Sequence, residues 1–450
     1  MTTLESFLGA PPWPRQLATA ALFLLPALAL TVQSGYSYGA ALLLIGALCS
    51  LRRWPFAAQD RWTWGFAVAM GGMGVFWWLL ANPQESLGGT WDRPSKFALG
   101  IACLLFVSPT APRPRAQFWG LLAGCLGAGA VALWQVHVEG APRASGFPSG
   151  KTNAIQWGNL ALLLGTMLAV QAITLREHLG RAALALAGLA ALMALNASVL
   201  SLSRGGWLAL LLASPVGLYL LWRFDRRALW RMLGGAAVVL AVLGAANHAV
   251  LAERWNVMEK EMLVYDAERE AGNSVGQRLE HWRFAWEVGL EKPIFGWGMR
   301  GYLEEKEKRV AAGQYEPSIV EYIYTHNEPL DMFVKAGIVG VAWLLLFYAV
   351  PLCMFWPTRA RVAAYARQGA EVRAQMLALR LGGVCIPLLY AGFGMTQVFF
   401  AHNSGIMFYL FMTMLTWAAV LGMDAQYAGG AGASSSSLPR RGPSSRQSRA

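Results

Sequence analysis

The stretch AALALAGLAALMALNASVL, residues 182–200, runs for nineteen residues without a charged side chain. A helix of that length spans close to the ~30 Å hydrocarbon core of a bilayer. Working outward, similar apolar segments recur near 17–33, 38–51, 63–81, 97–111, 117–136, 154–174, 206–222, 232–250, 329–352, 376–399 and 404–423. The chain has 450 residues, of which 56% are hydrophobic and 14% charged. Soluble domains carry about 25% charged residues. The pattern therefore predicts an all-α polytopic membrane protein with about 12 transmembrane helices.

The net charge of +12 could indicate a nucleic-acid partner, but its distribution argues otherwise. One set of alternate loops holds sixteen Arg residues, among them Arg52, Arg53, Arg113, Arg176, Arg226 and Arg359. The opposite set of short loops holds five basic residues: Arg93, Lys96, Arg143, Lys151 and Arg204. By the positive-inside rule both termini face the cytoplasm, and no nucleic-acid partner is expected. The five cysteines lie in apolar runs with no CxxC pair, so neither a disulfide framework nor a zinc site is expected.

This divides the chain into four parts: 1–250 (nine transmembrane helices), 251–325, 326–425 (three more) and 426–450. The loop 251–325 carries 14 of the 25 acidic residues and lies on the outer side of this topology. It reads as a helical domain on that side, with helices over 253–270, 274–289 and 302–312, and with Ser274 and Gln277 spaced as a capping box. Pro293 and Gly296-Trp297-Gly298 form the break between the last two. The Gly-, Ser-, Pro- and Arg-rich tail 426–450 reads as a disordered cytoplasmic segment.

Four polar clusters fall on the outer side. Ser201-Leu202-Ser203-Arg204-Gly205-Gly206 turns between two spans; its guanidinium suits a phosphate, although an Arg at a membrane edge can simply snorkel. On the 274–289 helix, Arg278, His281 and Trp282 share one face at i, i+3 and i+4, which could meet a ligand or only water. Thr325-His326-Asn327-Glu328 opens the tenth span, where an imidazole can transfer protons or merely cap a helix. Asp92-Arg93-Pro94-Ser95-Lys96, placed at the mouth of the fourth span, adds cations with Arg143 and Lys151. Several Arg residues with one His, and no carboxylate box, suit a diphosphate better than a metal. Among transporters, broken helices and midplane charges are common; here the spans are nearly uncharged apart from Arg380.

The motifs SLSRGGWLAL (201–210), QRLEHWRFAWEVGLEKPIFGWGMRGY (277–302) and THNEPLDMFVKAGIVGVA (325–342), with DRPSKFALG (92–100), resemble the O-antigen ligase family, which also includes O-antigen polymerases and protein O-oligosaccharyltransferases. The resemblance spans about residues 90–345, and the ligase branch fits best. It implies a GT-C-type glycosyltransferase of the bacterial inner membrane, inverting and metal-independent, with no cofactor, and it makes the helical domain over 251–325 periplasmic. It implies a glycan donor on undecaprenyl diphosphate and, as acceptor, a sugar hydroxyl of lipid A–core oligosaccharide. His326, Arg204 and Arg278 would be catalytic, and Lys96, Arg93, Arg143, His281 and Asn327 would bind substrate. Pro329 and Asp331 depart from the neutral residues expected after the His-Asn pair.

Overall fold

The computed structural model describes residues 12–51, 59–82, 86–146, 153–249, 252–253, 255–257, 259 and 274–428. The expected 253–270 helix, the tail after 428 and Lys151 therefore lie wholly or largely outside the described residues. Among the described residues all regular structure is helical. The helices are α1 (Trp13–Leu28), α2 (Tyr36–Cys49), α3 (Arg61–Leu79), α4 (Leu87–Val107), α5 (Arg115–His137), α6 (Ala154–Leu175), α7 (Arg181–Leu200) and α8 (Arg204–Phe224). They continue with α9 (Arg226–Ala246), α10 (Ser274–Gly289), α11 (Gly298–Ala311), α12 (Glu328–Phe355), α13 (Arg359–Gln368), α14 (Ala370–Gly394) and α15 (Asn403–Ala428).

Each of the apolar segments read from the sequence falls on a helix. Among the described residues, eight helical stretches are long and apolar enough to cross a membrane: α5 to α9, α12 with α13, α14 and α15. These make the chain a multi-pass membrane protein. The helices α1 and α2 are short, with 16 and 14 residues, and α3 and α4 are diluted by Trp, Gly and charge. The fourth helix begins earlier than expected. Ser86 caps it by accepting from Gly89 N at 3.3 Å, so Asp92, Arg93 and Lys96 sit inside the helix rather than before it. Pro94 is accommodated there because its fixed φ is helical, at the loss of one backbone hydrogen bond.

The bundle is centred on α14 and α15, whose most apolar stretches are 83% buried; that of α9 is 11% buried and lines the outside. An aromatic stack of Phe347, Tyr390, Phe400 and Tyr409 fills the space between α12, α14 and α15. Several buried polar groups pair with one another, which offsets the cost of taking them out of water. Gln171 donates to Gln117 at 2.9 Å, and Gln117 donates to Thr416 at 2.6 Å. Arg380, fully buried, pairs with Asp424 at 3.2 Å and donates to Met354 O at 2.9 Å.

One helix is broken where the outer segment meets it. Gly337 in α12 adopts φ 65° and ψ −163°, a conformation open essentially only to glycine. The connection after α10 fits into the gap. Ile338 N donates to Pro293 O at 2.7 Å, Val339 N to Ile294 O at 3.3 Å, and Trp297 N to Val334 O at 2.9 Å. Gly296, also left-handed, lies against the backbone of Lys335 and Ala336, where a Cβ would collide. The two glycines thus let two backbones interlock. Above this junction a second apolar core forms from Phe284, Val288, Met299, Tyr302, Ile319 and Val334. The helix α11 starts directly after the Gly-Trp-Gly break, four residues before its expected start. The α10 helix begins at Ser274, but that residue's side chain lies outside the described set.

Gly337→Ala should therefore be costly: its Cβ would strike the Ile294 carbonyl, and its backbone would be strained by roughly 1–3 kcal/mol. The expected outcome is a fall of several degrees in the melting temperature of the detergent-solubilised protein. A variant melting within a degree of the parent would contradict the interlock.

Candidate active site

The site is built around the segment that enters α12. Asn327 caps that helix, accepting from Leu330 N at 3.0 Å, while Asp331 accepts from Thr325 N at 3.0 Å. Thr325 Oγ1 donates to Asn327 O at 2.8 Å. These bonds pin the two residues flanking His326 and force His326 itself to φ +56°. A left-handed non-glycine residue is uncommon, though His is among the types enriched there. The departure at Asp331 is thereby explained: it is buried, ties down Thr325 and pairs with Lys335 at 2.8 Å. Pro329 sits at the first turn of α12, where its missing N–H is harmless.

The half-buried His326 ring is held by Gln397, whose Oε1 accepts from Nδ1 at 2.6 Å. An acceptor at Nδ1 selects the Nδ1–H tautomer and leaves the lone pair on Nε2. Burial, together with the nearby Arg278 guanidinium, lowers the His326 pKa from its ordinary value; the Gln397 bond opposes this without reversing it. The imidazole is therefore neutral near pH 7, as a proton acceptor must be.

The face predicted on α10 points at this segment. Trp282 Nε1 donates to Thr325 O at 3.1 Å. His281 lies behind His326, fully buried, with ring centroids 6.3 Å apart. Among the described residues neither of its nitrogens has a hydrogen-bond partner. Burial, with Lys306, His326 and Lys335 nearby, keeps it uncharged. Tyr322 packs edge-on to both imidazoles. Beneath them, Lys306 donates to Tyr322 O at 2.6 Å and Lys335 to Ile323 O at 3.1 Å, with the Tyr302 ring between the two ammonium groups. Burial and the second lysine push the Lys306 pKa down to about 7.

The loop joining α14 to α15, residues 395–402, is the shared platform. Besides Gln397, its Met395 O accepts from Asn327 Nδ2 at 3.2 Å, and Phe400 N donates to Glu328 at 3.0 Å. Ala401 O accepts from Arg93 Nε at 3.1 Å, and the Arg93 guanidinium lies over Trp77. His402 is near both Arg93 and His326; burial first, then these two groups, lowers its pKa to about 4. The Ser-Arg-Gly-Gly turn docks on the same loop, since Gly205 lies against the Thr396 side chain. Leu202 in that turn is left-handed. Asn159 fixes Ser203 at 2.9 Å, and Arg143 donates to Ser201 O at 3.0 Å. Arg204 is exposed at the first residue of α8.

Of the residues expected at the site, His326, Arg278 and His281 form one group, and Arg93 joins it through the 395–402 loop. Arg204 is tied to the group through the turn it belongs to. Asn327 is buried, with its carbonyl engaged by α12 and its amide by the loop; both orient His326. Arg143 braces the Arg204 turn, and Lys96 pairs with Asp92 at 2.6 Å on α4. Sequence reasoning missed Gln397 and His402, which lie about seventy residues beyond His326 and carry no local motif. It also missed Lys306 and Lys335, whose spacing within amphipathic or apolar stretches gives no sign of a shared aromatic ring.

The family model described as O-antigen ligase matches residues 188–345. Those residues are an O-antigen ligase family domain. The matched stretch holds Arg204, Arg278 and His326 together with the interlock between α12 and the segment preceding α11. It indicates a glycan-transferring enzyme of the ligase or polymerase type. A protein of Haemophilus influenzae, described only as uncharacterized, is 27% identical over 327 residues, covering 72% of this chain and 78% of its own.

The acid limb of the pH–rate profile tests the state of His326. A base must be unprotonated, so activity is present above its folded pKa and lost as pH falls through it. Because that pKa is lowered, the midpoint of kcat/KM should lie below the ordinary ~6.5 of histidine. Gln397→Glu, which sets a carboxylate on Nδ1, should move the midpoint upward. An unchanged limb in that variant would remove His326 from the titration.

Proposed function

We propose that the chain is an O-antigen ligase. It would transfer a glycan from undecaprenyl diphosphate to a sugar hydroxyl of lipid A–core oligosaccharide, at the periplasmic face of the bacterial inner membrane, with both termini cytoplasmic. The observation that carries this is a neutral, tautomer-fixed His326 beside Arg278, with the Arg204 turn docked on the same loop. The chemistry follows from the charges. The acceptor hydroxyl oxygen attacks the anomeric carbon, and the bond from that carbon to the diphosphate oxygen breaks. The electron pair leaves with the lipid diphosphate, and the hydroxyl proton passes to His326 Nε2. Attack opposite the leaving group inverts the anomeric centre. Arg278 and Arg204 balance the negative charge that grows on the diphosphate, most effectively in the transition state. A lipid-borne donor reaches such a site sideways from the bilayer.

Pure transport fits less well. Arg380, a conspicuous buried charge of the bundle, is paired with Asp424 some fourteen residues down α14 from the site, roughly 20 Å away. It joins helices rather than lining a path.

The test is complementation of a strain lacking its own copy. Arg204→Ala and Arg278→Ala should each reduce transfer by about 10²–10³, and His326→Ala by about 10²–10⁴, with the proteins still inserted. Gels of lipopolysaccharide should show bare core, with long polymer left on undecaprenyl diphosphate. Single repeats on the core would indicate a polymerase instead, and loss of glycan from proteins alone would indicate an O-oligosaccharyltransferase. Normal capped lipopolysaccharide in all three variants would overturn the proposal.

A further inference from the structure

At the end of α10 and in its connection to α11 the chain carries a group of large, well-exposed apolar side chains. Trp286 and Leu290 are about half exposed, Ile294 57% and Phe295 75%. On a soluble domain such a patch would be a liability. Its position explains it. The backbone of 293–294 is hydrogen-bonded to Ile338 and Val339 of α12. This places the patch level with a point ten residues into that helix, about 15 Å past Glu328. From Ile338 onward α12 is almost wholly apolar, and Ile338, Val339 and Leu345 are themselves exposed on its outer side. The patch is therefore continuous with the lipid-facing surface of a membrane helix, and it begins where the apolar run begins.

The composition also changes across it as a membrane interface demands. Trp286, its ring tilted against Phe333 with centroids 5.7 Å apart, has the amphipathic ring that favours the headgroup level. The Lys292 ammonium lies 3.6 Å from the centre of the Trp297 ring, while its stem can run along apolar surface. Towards α11 the surface becomes charged, with Arg300 paired to Glu304 and Arg309 to Glu291 and Glu305.

We infer that the 286–295 elbow is a membrane-insertion surface, with Ile294 and Phe295 in the acyl boundary of the leaflet nearest the candidate site and Trp286 among its headgroups. The outer segment is then held by lipid as well as by α12. The elbow continues from the helix bearing Arg278 and is hydrogen-bonded to the helix that follows His326, so the bilayer surface sets the height of both. The occupant is the bilayer itself, because the patch continues a helix face that lipid already covers.

The inference is tested with the full chain in liposomes of bacterial phospholipid, with Cys49, Cys103, Cys125, Cys353 and Cys385 replaced. Nitroxide labels are placed singly by Phe295→Cys, Ile338→Cys and Glu304→Cys. All three positions are exposed, so the substitutions should leave folding intact. Power saturation should give a label at 295 that is relaxed by oxygen and protected from an aqueous nickel chelate, as at 338. The label at 304 should show the reverse. A label at 295 as accessible to the chelate as that at 304 would overturn the inference. So would a label at 295 shielded from both reagents, which would mean contact with another protein chain. None of these outcomes depends on glycan transfer, so failure here is distinct from failure of the proposed reaction.

Discussion

Two backbone hydrogen bonds at a gap in α12, from Ile338 to Pro293 and from Val339 to Ile294, hold the outer segment to the membrane bundle. A continuous α-helix could not offer them, because its N–H groups would already be committed four residues back. The break at Gly337 frees those donors, and the connection after α10 takes them up before they are left unsatisfied in an apolar setting. Everything else about the site depends on this exchange. Arg278 and His281 reach His326 because α10 is tethered there, and the second core around Tyr302 closes over the junction.

Electrostatically the site separates fixed positive charge from neutral imidazole. His281, His326 and His402 all have lowered pKa values, with burial the largest cause and neighbouring cations adding to it. The Arg93 guanidinium is held by a carbonyl and an aromatic face, Ala401 O and Trp77. That arrangement keeps the local potential positive, which favours an anionic ligand and disfavours a protonated histidine.

Much of the architecture was legible in the sequence because membrane segments obey simple constraints of length and polarity. The apolar segments fell on helices, and the i, i+3, i+4 spacing put Arg278, His281 and Trp282 on one face, all turned to residues 325–326. The start of α4 lies before the apolar run that opens near residue 97, because Asp92, Arg93 and Lys96 interrupt the hydropathy while Ser86 already supplies the cap. Asn327, expected to bind substrate, also caps α12 through its side-chain carbonyl, a role that a polar residue just before an apolar run signals as well. Gln397 and His402 were invisible for a different reason. Their neighbours in sequence, Thr396, Val398, Ala401 and Asn403, form no recognisable motif, and only the packing of α14 against α12 brings them to His326.

The backbone at His326 has a consequence for how this site can change. With φ at +56°, the position accepts few residue types: glycine readily, Asn and Asp with little strain, and β-branched residues hardly at all. Most replacements there therefore fail twice, once by losing the imidazole and once by unsettling the turn that Thr325, Asn327 and Asp331 enforce. A base could not be exchanged at this point by gradual drift, because the residues chemically able to serve and the residues conformationally able to fit scarcely overlap. The turn thus narrows the mutational routes open to the site as strictly as the chemistry does.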